Sequence, residues 1–180
     1  MMENYSVDYQ YSQDIDWFLL GADNVVAQFS SGGAILPEII SKNASSNEML
    51  IDFFSRSQSF TSSTLNPFLD RYMNLANVLG DVNDLAHYAT KGIVSFDVVD
   101  PGPGNNAIAY HLLATPKQYL DINQLPAEVQ QALLKFKVDI DFRLFYMLDS
   151  WYLPWASLFN DYYVRTQYCV PAKKKRWFWE

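Results

Sequence analysis

From residue 14 onward, short apolar runs alternate with polar breaks. Residues 14–20 read D-I-D-W-F-L-L, a G-A-D-N tetrapeptide follows, and residues 25–29 read V-V-A-Q-F. Two β-prone runs around a turn of Gly, Asp and Asn predict a β-hairpin. It leads into Ser30, Ser31, Gly32 and Gly33, a loop whose glycines tolerate positive φ. A second, longer hairpin is predicted where I-V-S-F-D-V-V (93–99) and A-I-A-Y-H-L-L-A (107–114) flank a D-P-G-P-G-N-N loop. A third β signal is the strict alternation of Val138, Ile140, Phe142 and Leu144 with Asp139, Asp141 and Arg143, which predicts a half-solvated strand.

Helical periodicity fills the ground between. Pro37 opens a short helix after Leu36, and Ser45 with Glu48 has the spacing of a capping box ahead of Met49, Leu50, Phe53 and Phe54. Asn66 and Pro67 start a helix carrying Phe68, Leu69, Tyr72, Met73, Leu75, Ala76 and Leu79 on one face, and another runs from about Val82 to Lys91, closed by Gly92. Leu125 and Pro126 start one more, which buries Val129, Leu133 and Phe136. No repeat and no long linker divides the chain. The expected architecture is a single α+β domain over residues 1–172, an antiparallel sheet of hairpins packed against several helices, followed by a short basic-aromatic tail over 173–180.

Composition narrows the class. A chain of 180 residues with 49% hydrophobic residues and 29 aromatics is long enough to bury a core, about 70% of its surface. Its one cysteine rules out a disulfide scaffold within the chain. No apolar run approaches membrane-spanning length, and the first residues carry neither the basic nor the apolar region of a signal peptide, so a soluble, cytoplasmic protein is expected. The net charge of −7 is unevenly placed. Residues 173–180 (K-K-K-R-W-F-W-E) carry +3, and the preceding 172 residues carry −10. Such an acidic body repels phosphate backbones, which argues against nucleic acid as a partner, and favours a basic protein partner through salt-screened steering.

Candidate chemistry is sparse. One cysteine and two histidines provide no zinc set, so no metal or cofactor is expected, and His87 and His111 read as structural. Gly102, Pro103 and Gly104 lack the lysine and helix of a phosphate loop, and no G-x-S-x-G occurs. Asp14 with Asp16, and Asp139 with Asp141, share strand faces; such pairs serve acid–base chemistry when burial separates them, but a solvated outer face is the simpler reading. The aromatic excess is concentrated, with thirteen of the 29 aromatics in residues 142–180. Core packing explains it first, an exposed anchor for a partner second, and a stacking platform for sugars or bases third.

The N-terminal hairpin carries a family signal. D-I-D-W-F over residues 14–18, V-A-Q-F-S-S-G-G over 26–33, and Leu36 with Pro37 after it resemble the opening of small bacterial proteins similar to immunity proteins of polymorphic-toxin systems. The resemblance covers about 25 residues and implies a non-enzymatic, intracellular protein that neutralises a cognate toxin by direct contact. An acidic body suits a basic toxin domain. By residue type, the candidate partner contacts are Trp17, Asp139, Asp141, Trp151, Tyr152 and Trp155. The competing class is a small hydrolase or ligand-binding protein whose pocket uses Asp16 and the loop of Ser30 to Gly33.

Overall fold

The computed structural model describes residues 2–71, 85–99, 109–149 and 152–159. The fold is α+β, as the hydrophobic pattern predicts. The first hairpin forms where expected: β1 (Asp16–Leu20) pairs antiparallel with β2 (Val26–Ser30), Leu20 opposite Val26. Asn24 takes the left-handed conformation at φ 64° that this tight turn requires. A short helix α1 (Val7–Ser12), with no counterpart in the hydrophobic pattern, precedes the hairpin, and Ser6 caps it by accepting from the Tyr9 N–H.

After α2 (Glu38–Ser41) and α3 (Ala44–Arg56), β3 (Ser63–Leu65) is the next strand in the chain. The predicted capping box does not form. Helix α3 begins before Ser45, with Asn43 at its N-cap and no side-chain cap bond, so Ser45 lies within the first turn. β4 (Val94–Val98) runs parallel to β2, and β5 (Tyr110–Pro116) runs antiparallel to β4, completing the second expected hairpin. The sheet is therefore mixed, with one parallel pair among antiparallel ones. Its order is β1-β2-β4-β5-β3, and β6 (Met147–Leu148) pairs with the other end of β5.

Helix α4 (Ala127–Lys135) follows Pro126 and buries Val129, Ala132 and Leu133, with Phe136 buried just beyond it. The alternation over 138–144 does not produce a strand. Ile140 and Phe142 are buried as the pattern implies, but residues 142–144 form a single 3-10 turn. The reason is local. The Asp141 carboxylate accepts from the Arg143 backbone N–H at 3.1 Å, an Asx-type turn that competes with extended pairing. Leu144 is consequently 73% exposed. The chain's last described element is α5 (Leu153–Ala156). Residues 72–79 and 82–84 of the helices predicted over 67–79 and 82–91, the loop at 100–106, Trp151, Cys169 and the tail over 173–180 lie outside the described residues. The described parts of those two helices form short 3-10 turns, Leu69–Arg71 and Ala89–Lys91 among them, rather than α-helix.

The sheet is buried on both faces at its β1–β2 end. On one face Trp17 stacks on Phe29 with ring centroids 4.3 Å apart, and Phe96, Tyr110, Phe142, Trp155 and Phe159 complete an aromatic layer. On the other, Phe18 meets Phe54 of α3 at 5.0 Å and Tyr88 at 5.6 Å. Edge strand β1 is closed by backbone and side chain together. Leu20 donates to Phe136 O and accepts from Val138 N, and the Asn47 amide of α3 donates to Asp16 O at 2.9 Å.

This packing makes Trp17 a structural centre. Trp17→Ala is expected to lower stability by about 3–5 kcal/mol, whereas Leu144→Ala at the exposed turn shifts it by less than about 0.5 kcal/mol. Urea denaturation of the two variants checks the contrast.

Candidate functional site

Strand register assembles the site. Asp16 lies opposite Ser30, Ser30 opposite Asp97, and Asp97 opposite His111, so one polar row crosses β1, β2, β4 and β5. Neighbours paired across a sheet point to the same face. The next row toward the centre begins with Phe18 and Gln28. Within apolar strands, these polar positions mark where the face opens.

The opening is a cleft of about 540 Å³ lined by Asp14, Asp16, Gln28, Ser30, Leu85, His87, Tyr88, Asp97 and Leu113. β1 and the residues just before it contribute two carboxylates, and β4 contributes the third. The segment before β4 contributes His87 and Tyr88 from across the chain. That segment ends at Gly92, whose φ of 81° is left-handed; a Cβ there would lie 2.5 Å from the Leu120 backbone nitrogen. Glycine thus permits the sharp turn that brings His87 and Tyr88 over the strand ends.

Asp16 is held rigidly. It accepts from Tyr88 Oη at 2.7 Å and from Gln28 Nε2 at 2.7 Å. Burial nevertheless outweighs these donors and raises its carboxyl above the ordinary aspartate range. Asp97 has weaker compensation. Its Oδ1 accepts from Val98 N at 2.9 Å, and burial, with smaller contributions from Asp14 and Asp16, pushes its carboxyl up to about 6. Asp14 is exposed and organises the neighbouring loop: it accepts from Gly32 N at 2.7 Å and from the Ser30 hydroxyl at 3.1 Å. Behind Asp97, His111 is buried in β5, and desolvation lowers its imidazole to about 4.

The expected pocket of Asp16 with the 30–33 loop exists at Asp16 and Ser30, which both line the cleft. Ser31 instead turns inward, fully buried, where its hydroxyl accepts from Ile15 N. The solvated-face reading of Asp14 and Asp16 holds for Asp14 alone, since Asp16 is half-buried and bonded. The structural reading of His87 also changes, because the ring is exposed and lines the cleft.

The residues expected at a partner surface are dispersed. Trp17 and Trp155 are fully buried and stack 6.0 Å apart in the core, so neither presents a surface to a partner. Their aromatic mass is needed to fill the space beneath the sheet. Tyr152 is half-buried against Phe145 at 4.7 Å. Asp141 is gripped by Arg143 through two bonds of 2.8 Å, which hold its carboxyl below the ordinary range, and the same guanidinium reaches Asp23. Asp139 remains exposed, and Trp151 lies outside the described residues. Among the described residues, no group of three or more His, Cys, Asp or Glu side chains is arranged to hold a metal ion.

Asp97 and His111, neighbours in the row, have opposite linkage signs. Asp97 has a folded pKa above its unfolded value, so it binds its proton more tightly when folded and its contribution to stability is lost as pH rises from about 4 to 6. His111 has a folded pKa below its unfolded value, so its contribution is lost as pH falls from about 6.5 to 4. Asp97→Asn is expected to stabilise the protein at pH 7 by about 1–3 kcal/mol and to remove the first component. Denaturation midpoints of wild type and Asp97→Asn between pH 4 and 8 check both the sign and the window.

No family model matches the sequence, and neither a curated protein nor a solved structure matches the chain.

Proposed function

We propose that the protein is a cytoplasmic binding protein that neutralises a basic partner, with the Asp14, Asp16 and Asp97 cleft receiving a lysine or arginine side chain of that partner. The observation that carries this reading is the charge of the cleft. Three aspartates line it, and among the described residues no lysine or arginine does. Burial raises two of these carboxyls, so their ionised forms gain from an incoming cation, which lowers their pKa and recovers the desolvation cost. The resemblance of the β1–β2 hairpin to immunity proteins supplies the setting, and the −10 charge of residues 1–172 supplies long-range attraction for a basic toxin domain. Among the described residues, no helix is long and apolar enough to cross a membrane.

A second reading, a small hydrolase, draws on one observation: burial raises the Asp97 carboxyl to about 6 in a cleft that Asp14 also lines, an environment that general acid–base chemistry uses. Turnover of an ester or glycoside panel with a pH profile lost in Asp97→Asn would favour it.

The binding reading is tested by affinity capture from the native host at low salt, followed by co-expression of the captured protein. The expected partner is basic, its toxicity is relieved by wild type, and the double variant Asp16→Asn, Asp97→Asn weakens binding by at least about tenfold. Recovery of the protein alone, with no toxicity rescued, overturns the reading.

A further inference from the structure

Lys91 is 4% exposed, an unusual place for an ammonium group. It lies in the 3-10 turn Ala89–Lys91, four residues after His87. Its Nζ is 2.6 Å from Phe54 O, 3.1 Å from Ser55 O and 2.8 Å from His87 Nε2. The first two are carbonyls of the last turn of α3, where helix geometry leaves acceptors unfilled and the macrodipole favours a cation. Lys91 therefore caps α3 from a distant part of the chain. The Tyr88 ring lies 5.7 Å from the same ammonium, and the Tyr88 hydroxyl bonds Asp16.

Three contacts meet the three N–H donors of an ammonium. Carbonyls can only accept, so two hydrogens are committed to α3. The third partner is the imidazole Nε2. With Lys91 charged, Nε2 must offer its lone pair, and the ring proton of a neutral His87 must sit on Nδ1. Desolvation lowers the Lys91 ammonium, but a neutral amine accepting from Nε2–H would give up a cation that the helix terminus favours.

We infer that Lys91 is a positioning residue for the cleft: its ammonium fixes His87 in the neutral Nδ1–H tautomer while capping α3. The inference concerns the site of the proposed binding function but rests on geometry alone. One consequence follows for that site. The Nε2 lone pair of His87 is occupied, so the ring cannot use it to accept from a ligand or to bind a metal. Helix α3 and the cleft histidine are thereby coupled through one buried cation.

The chain holds only two histidines, which makes the test direct. In long-range proton–nitrogen spectra of full-length, ¹⁵N-histidine-labelled protein near pH 8, His87 is expected to show a protonated Nδ1 and an unprotonated Nε2, with a preference of at least about tenfold. His111→Gln assigns the signals. In Lys91→Met the preference should fall to within about threefold of parity, and Lys91→Arg should restore part of it. A wild-type ring protonated on Nε2 overturns the inference, and so does a folded Lys91→Met with an unchanged tautomer. If Lys91→Met fails to fold, the wild-type spectrum still decides. Failure of the wild type to capture any basic partner, with the tautomer as expected, would count against the binding proposal only.

Discussion

Burial of the β1–β2 hairpin on both faces is the constraint on which the rest of the structure depends. A strand in this position must meet an apolar layer above and below, and the chain supplies aromatics for both. Trp17 and Phe29 anchor one layer and Phe18 the other. Because β1 ends the sheet, its outward backbone groups also need partners, and Asn47, Phe136 and Val138 provide them. The segments around α3 and α4 are thus tied to the hairpin by hydrogen bonds as well as by packing.

The cleft arises where this two-sided burial stops. Asp16 is only two residues from Phe18 on the same face, so its carboxylate lies at the border of the apolar layer and feels the loss of water. Asp97 and His111 continue the row at the same depth, and each is held away from its charged form. Such groups are expensive to keep. An apolar or neutral residue at Asp97 would serve the fold better, which separates the row from the aromatic layers that stabilise the sheet. Desolvation also disfavours the charged form of Lys91, but its nitrogen lies within hydrogen-bond distance of two helix carbonyls and a histidine.

Much of the local structure was legible. The two hairpins, the proline-led starts of α2 and α4, and the glycine stop at residue 92 all appear where periodicity and turn chemistry put them. The failures have physical causes. Asp141 turned an alternating run into a 3-10 turn, because its carboxylate bonds the chain locally. Asn43 rather than Ser45 heads α3, because a cap is decided by backbone geometry and not by spacing alone. Trp17 and Trp155 looked like surface anchors by residue type, but only packing determines whether an indole is inside. A signal for the site was present all the same: Asp16, Ser30, Asp97 and His111 are polar interruptions of apolar strands.

By itself, the sequence determined the α+β class, the hairpins and the acidic balance, because these follow from short-range periodicity, turn residues and composition. The tertiary structure decided the rest. Pairing of β2 with β4 in parallel brought Asp97 beside Ser30, across more than sixty residues of chain, and Gly92 turned His87 and Tyr88 toward them. Register between distant strands, and burial of a charge, are properties of the assembled fold. They depend on what lies across the sheet, which no local pattern records.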